Sequence, residues 1–330
     1  MLCHGRFALS VELLLYRTQA NLAEFVADFT AGWVAGAAGL LVGHPMDTVK
    51  VRMQTMHYRS LWNCCKATLR HESPTGFYKG MLAPLSTVGF QHSCLFVGCA
   101  VGFKFMEPHK TSADARKQAS IYQLLVAQQV GSILQWIPNT PVEMVKIKLQ
   151  TQTESWGHYW ESQSKNGQRQ KVRTTGQLYS GPAHCAVRIL RKHGIAKGLY
   201  RGGGVTLVRD IVGFSFYLPA YELLFRQASA LNLTNGKTME TMACGAVAGW
   251  LSWITVLPLD VIKSRLVSQD FSAPRYSGGA WACARALHAE GGWRAFFKGG
   301  MAITVRSLSI NAVLFLVYTR ALDFLHAHGL

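Results

Sequence analysis

Apolar residues along the 330-residue chain gather into six long runs separated by polar, mostly basic segments. Residues 29–46, 81–103, 118–142 and 241–259 carry no Asp, Glu, Lys or Arg. Residues 202–225 carry only Arg209, Asp210 and Glu222, and residues 299–319 only Arg306. Each run is close to the ~20 residues that a helix needs to cross the hydrocarbon of a bilayer. Several exceed the usual buried core helix of a soluble protein. The pattern predicts an all-α membrane protein with six transmembrane helices.

The polar segments are copies of one another. PMDTVKVRMQ from Pro45 recurs as PVEMVKIKLQ from Pro141 and as PLDVIKSRLV from Pro258. A second landmark follows each time: GFYKG at 76–80, GLYRG at 198–202 and AFFKG at 295–299. Self-similarity with a period of about a hundred residues marks one module written three times. The chain divides into an extension over residues 1–23 and repeats over 24–112, 113–235 and 236–330. The second copy is longer because of the polar stretch 151–176, which reads as a lengthened loop.

The first landmark has a physical logic. A proline within a membrane helix removes a backbone donor and bends the helix, so Pro45, Pro141 and Pro258 can draw three helix ends together. Charges just beyond the bends then meet, and the acid of one repeat can reach a base of another. The pairs are Asp47 with Lys146, Glu143 with Lys263, and Asp260 with Lys50. Such a ring closes one end of a cavity and must break for anything to pass, which suits pairs of modest strength. Charges at helix ends also snorkel toward lipid head groups. That simpler reading competes seriously for Arg52, Lys148 and Arg265, and is weaker for the six ring residues, whose recurrence beside proline snorkelling does not require.

The repeat also points to a binding site. Seven residues beyond the landmark glycines stand Thr87, Arg209 and Arg306. An arginine two turns into an apolar helix is expensive unless it faces a partner or a water-filled cavity, so such residues are functional-site candidates. Gln91, one helical turn beyond Thr87, adds an amide beside His92. Asp210 follows Arg209 directly and breaks the threefold pattern, which implies an asymmetric solute. Arg306 has the fork geometry for a carboxylate and Asp210 suits an ammonium or quaternary ammonium group. Against this stands the purely structural alternative that Arg209 and Asp210 satisfy each other.

Composition narrows the class further. The formal charge of +17 invites nucleic acid as a partner, yet the bases cluster between the two landmarks of each copy. One-sided positive charge is what membrane topology and an anionic lipid surface select, and no zinc-finger, RNP or P-loop spacing occurs. The eight cysteines fit neither a disulfide framework nor a metal site; Cys64 and Cys65 are adjacent, and Cys94 and Cys99 lie within an apolar run. A membrane enzyme would need a nucleophile, a base or a metal cluster, and the histidines are scattered without ligand spacing. A scaffold could use Gly32/Gly36 and Gly245/Gly249 for close helix contact, but packing within one bundle explains them more simply. No catalytic residue, metal or cofactor is expected.

P-x-[DE]-x-x-[KR]-x-[KR], three times, each followed by an aromatic-[KR]-Gly landmark, resembles the mitochondrial carrier family, solute carrier family 25, from about residue 24 onward. VGHPMDTVKVRMQT and HESPTGFYKG look closest to its member 45, 47 and 48 group, near the carnitine/acylcarnitine and ornithine carriers. The resemblance implies six transmembrane helices in threefold pseudosymmetry, short amphipathic matrix helices, and alternating access across the inner mitochondrial membrane; the threefold repetition within one chain means that a closed barrel needs no partner, so a functional monomer is expected. It implies that Gln54 and Gln150 brace the ring, with Val267 unable to do so in the third copy. It also implies that the glycine landmarks bind the phosphates of cardiolipin, and that Thr87, Arg209 and Arg306 sit at substrate contact points.

Departures from the family pattern shape two further expectations. Gln91 stands where ornithine-type carriers have an acid, and Leu308-Ser309 where the carnitine and ornithine branch has Phe-Pro. A zwitterion or monocation (an amino acid, methylated amino acid, betaine or carnitine relative) fits better than a dicationic amino acid, with anionic carboxylates or nucleotides as the alternative. The family's second ring, on the cytoplasmic side, is lost: its acid positions read Ala100, Glu222 and Thr319, and its base positions Phe103, Phe225 and Leu322. The expected resting state therefore has the matrix gate shut.

Overall fold

A computed structural model describes residues 22–56, 58, 60–106, 119–153, 179–231, 237–271, 274–307 and 309–310. The extension before residue 22, most of the lengthened loop, and the cytoplasmic-ring positions Thr319 and Leu322 lie outside the described residues, as does Leu308. All regular structure among the described residues is helical. Long helices α1 (Leu22–Thr55), α3 (Leu82–Met106), α4 (Ile121–Gln150), α6 (Gly203–Leu231) and α7 (Lys237–Ser268) alternate with short ones, α2 (Leu61–Glu72), α5 (Pro182–His193) and α8 (Gly279–Gly291). Residues 300–307 begin a further helix.

Local sequence sets the helix ends. Ser60 accepts from the Asn63 amide to start α2, and Ser120 with Gln123 forms a capping box at the head of α4. Pro182 opens α5 at a position where its missing N–H costs nothing, and Gly194 ends that helix at φ +72°. The odd helices of the three repeats, α1, α4 and α7, continue without interruption past Pro45, Pro141 and Pro258. Their lengths of 34, 30 and 32 residues exceed the ~20 residues that a helix needs to cross hydrocarbon.

Each short helix packs on the C-terminal half of its own odd helix. Cys64, Cys185 and Cys283, one per short helix, are fully buried there, and the Cys64 and Cys283 thiols approach the carbonyls of Val49 and Ile262. Burial pushes these thiols up to about 12, 12 and 11. They remain protonated and act as small apolar residues, with no disulfide among the described cysteines.

Between repeats, α3 lies along α4 and α6 along α7. The first of these crossings is backbone on backbone: a Cβ added at Gly98 would stand 2.6 Å from the Gly131 Cα, and one at Gly102 would stand 2.7 Å from the Ala127 Cα. Gly245 and Gly249 are buried on α7, whereas Gly32 and Gly36 lie outside the residues whose packing is described.

The landmark glycines do two things at once. Gly80, Gly202 and Gly299 have φ of +79°, +78° and +85°, a left-handed conformation that other residues reach only at a cost. Each also approaches the odd helix of another repeat: Gly80 meets Lys146 and Leu149, Gly202 meets Val267, and Gly299 meets Lys50 and Gln54. A Cβ at Gly80 would fall 2.9 Å from the Lys146 carbonyl oxygen. Gly80→Ala should therefore lose about 1–2 kcal/mol to the backbone conformation and more to the collision. A lowered melting temperature of the purified protein checks this.

Two described segments, Pro74–Met106 and Ala243–Ser268, are long and apolar enough by composition to cross a membrane. This is fewer than the six expected from the charge-free runs. Lack of charge is not apolarity: α4 carries Gln128, Gln129, Gln135 and Asn139, α6 carries Arg209 and Asp210, and much of the last run lies outside the described residues.

Candidate functional site

Beyond the prolines, the odd helices bring their charges together at one level. Lys146 Nζ lies 2.7 Å from Asp47 Oδ2, Lys50 Nζ lies 2.7 Å from Asp260 Oδ2, and Lys263 is paired with Glu143. Each pair joins two repeats, so the three pairs close a circle 1–2, 2–3, 3–1. Five of the six side chains are less than a fifth exposed, and Glu143 is 23% exposed.

Two arginines complete the set. Arg209, on α6, donates through Nε and Nη2 to Asp210 at 3.0 and 2.6 Å, and through Nη1 to both Glu143 and Asp260 at 3.3 Å. Arg306 brings Nε to 2.6 Å from Asp47 Oδ1. That contact is an ion pair by distance, but the N–H is not aimed at the carboxylate and Nε lacks a hydrogen-bond partner. Every ring acid is thus shared between a lysine and an arginine. Trp253, buried on α7, lies beneath two of the cations, with Lys50 Nζ 4.4 Å and the Arg306 guanidinium 5.4 Å from its ring centroid.

Asp210, assigned to a solute ammonium, is held by its neighbour Arg209, and Arg306, assigned to a solute carboxylate, rests on Asp47. The arginine side chains reach the ring level from adjacent helices, and in a buried setting an unanswered carboxylate costs more than the rotamer freedom given up. Thr87 and Gln91 stay on α3: the threonine hydroxyl donates to Ala83 O at 2.9 Å and accepts from the Gln91 amide at 3.0 Å. His92 lies half-buried on the same helix.

The two glutamines also part company. Gln54 donates to Asp260 at 2.9 Å, beneath the Lys50 pair. Gln150, expected to do the same for Asp47 and Lys146, donates instead to the Thr48 hydroxyl at 3.1 Å and lies 3.4 Å from His44 Nε2. Thr48 and His44 in turn reach the backbone of the first landmark, at Phe77 O and Lys79 O. Arg306 Nε lies against the other oxygen of Asp47.

Arg52, Lys148 and Arg265 do not snorkel. They are 0%, 5% and 6% exposed. Arg52 bonds Glu72 and Thr68, and Arg265 bonds Glu290. At the opposite end, Phe103 is buried against Ala127, Met106, Ala119 and Leu124, and Phe225 stacks on Tyr221 at 5.9 Å between centroids. Among the described residues no group of three or more His, Cys, Asp or Glu side chains could hold a metal ion.

The family profile described as mitochondrial carrier protein matches residues 21–108, 117–228 and 234–329. Solute carrier family 25 member 45 of Mus musculus is 36% identical over 295 residues, covering 89% of this chain and 96% of the relative. Solute carrier family 25 member 48 of Homo sapiens is 33% identical over 298 residues, 90% and 94% respectively. Human member 47 is 29% identical over 320 residues, 89% and 97%. With the profile matched in all three repeats and these relatives aligned over nearly their whole length, the chain belongs to the mitochondrial carrier family, whose members are solute transporters rather than enzymes.

Proposed function

We propose that the protein carries a small zwitterionic or cationic amino-acid-like metabolite, of the amino acid, methylated amino acid, betaine or carnitine type, across the inner mitochondrial membrane by alternating access. The odd-helix ring is the matrix gate, held shut by three ion pairs, and Thr87, Gln91, His92, Arg209, Asp210 and Arg306 receive the solute above it. Cardiolipin at the landmark glycines is the lipid partner, and the threefold repeat within one chain makes a monomer sufficient.

The observation that carries the reading is the charge inventory of this buried cluster. Lys50, Lys146, Lys263, Arg209 and Arg306 face Asp47, Glu143, Asp260 and Asp210. One base is in excess, and a carboxylate on the solute balances it. Asp210, the acid outside the ring, supplies the complementary point for a cationic group once Arg209 turns toward the solute. The same excess of base favours a second reading, a carrier of plain carboxylates or nucleotides.

Uptake by purified protein in liposomes separates the two. The expected result is saturable uptake of a zwitterion or monocation, reduced about tenfold by Asp210→Asn through loss of one charge-assisted bond, with plain carboxylates less affected. Uptake confined to dicarboxylates or nucleotides overturns the zwitterion reading. A thermal-shift panel of the same compounds narrows the solute first, since ligands that bind the folded state raise its melting temperature.

A further inference from the structure

Below the ring, the second bases of the three motifs make a layer of their own. Arg52 Nε donates to Gln150 O at 3.0 Å, and Arg265 Nε donates to Gln54 O at 3.0 Å. Lys148 Nζ donates to Gln269 O at 2.8 Å and to Ser268 O at 3.4 Å. Each base therefore bonds the backbone at the end of another repeat's odd helix, in the order 1 to 2, 2 to 3 and 3 to 1. Helices that separate at this end must break these bonds, whatever happens in the ring above.

Two of the three bases are anchored by an acid from their own repeat. Arg52 Nη2 lies 2.6 Å from Glu72, and Arg265 Nη1 lies 2.6 Å from Glu290. The equivalent place in the second repeat, at the end of the short helix and ahead of the landmark, is His193. Its ring stacks on Phe271, with centroids 4.1 Å apart. Lys148 Nζ and the Arg201 guanidinium lie 4.5 and 5.0 Å from the same phenyl ring, and Arg201 donates to Asp270 O at 3.2 Å. Partial burial, Lys148, Lys192 and Arg201 together hold the His193 imidazole below its ordinary range, which disfavours a positive charge there. Asp270, on the post-helix segment itself, is the carboxylate in electrostatic reach of Lys148.

We propose that Arg52, Lys148 and Arg265 form a second layer of the matrix gate, and that opening begins at the junction of repeats 2 and 3, where His193 replaces the anchoring acid. This rests on the transport reading. The difference among the junctions is one of anchoring, since all three bonds run from a cation to a carbonyl. An arginine tied to a carboxylate by a charge-assisted bond keeps its remaining N–H aimed at the neighbouring carbonyl. Lys148 has a flexible stem and a single ammonium, and among the described residues no carboxylate of its own repeat is paired with it.

The test rebuilds the missing anchor. The double variant Lys148→Arg, His193→Glu reproduces the link seen in repeats 1 and 3, while Glu72→Gln weakens the junction of repeats 1 and 2. His193→Gln controls for loss of the Phe271 stacking. A cysteine placed at Thr87, in a background without native cysteines, is labelled with a membrane-impermeant thiol reagent from the matrix side in unliganded protein. Stronger closure by about 1 kcal/mol lowers the open population roughly fivefold, so the rebuilt variant should label about fivefold less, take up solute more slowly and melt higher. Glu72→Gln should label more. Equal or faster labelling and uptake by the rebuilt variant, beyond the His193→Gln control, overturns the proposal. Labelling needs no substrate, so it reads the gate layer even if no solute in the panel is transported. Absence of uptake by the parent protein is the separate failure of the transport reading.

Discussion

Arg209→Ala is expected to abolish uptake and to lower the melting temperature of the purified protein more than any other single replacement at the ring. The guanidinium answers Asp210, Glu143 and Asp260 at once from a side chain only 5% exposed. Its removal leaves Asp210 without the cation that binds it and strips two ring acids of their second partner. Breaking a buried ion pair from one side costs about 3–5 kcal/mol, because the remaining charge stays buried without compensation. Arg209→Lys should recover part of the stability, since the charge returns. It should not recover uptake, since one ammonium cannot form the fork that spans three carboxylates. Scanning fluorimetry and liposome uptake check the two statements separately. Near-parental melting of Arg209→Ala would show that the carboxylates find other partners.

Reversal of Asp47 is the second large effect. Asp47→Lys sets a cation against Lys146 and Arg306, which lie 2.7 and 2.6 Å from the native carboxylate. The expected outcome is loss of uptake together with matrix-side labelling of the Thr87 cysteine. Adding Lys146→Asp restores one pair but leaves Arg306 facing a lysine, so rescue is incomplete. Adding Arg306→Gln to that double variant removes the conflict and should restore closure further, read by labelling rather than uptake. Strictly additive defects in the double variant reject the Asp47–Lys146 contact, and complete rescue without the Arg306 change removes Arg306 from the ring.

The order of elements was legible in the sequence because three copies of a proline followed by an acid and a base leave few ways to arrange the chain. One copy could be a chance match; three constrain one another. The sharing of ring acids was not legible. Counting seven residues from a glycine places Arg209 and Arg306 two turns beyond their landmarks, but a long side chain can turn either way, and only its surroundings decide. The same holds for Gln150, where a threonine and a histidine on α1 compete for an amide whose spacing alone assigns it to Asp47. For Arg52, Lys148 and Arg265 the sequence left snorkelling open because the acids that hold two of them, Glu72 and Glu290, lie outside the repeated core of the motif. The crossing of α3 on α4 through Gly98 and Gly131 was also missed: these glycines sit in different repeats, so no internal comparison draws them together.

The convergence of α1, α4 and α7 carries an electrostatic consequence. A helix gathers roughly half a negative charge at its C-terminus from the aligned peptide dipoles and the unpaired carbonyls of its last turn. Three such ends meet below the ring, pointing the same way, and would repel one another if left bare. Arg52, Lys148 and Arg265 are seated on those carbonyls, where they neutralise the crowding that the threefold design creates. Part of the chain's large positive charge is therefore fixed internally. It balances partial charges of the backbone, and neither lipid nor solute needs to be present for that requirement to hold.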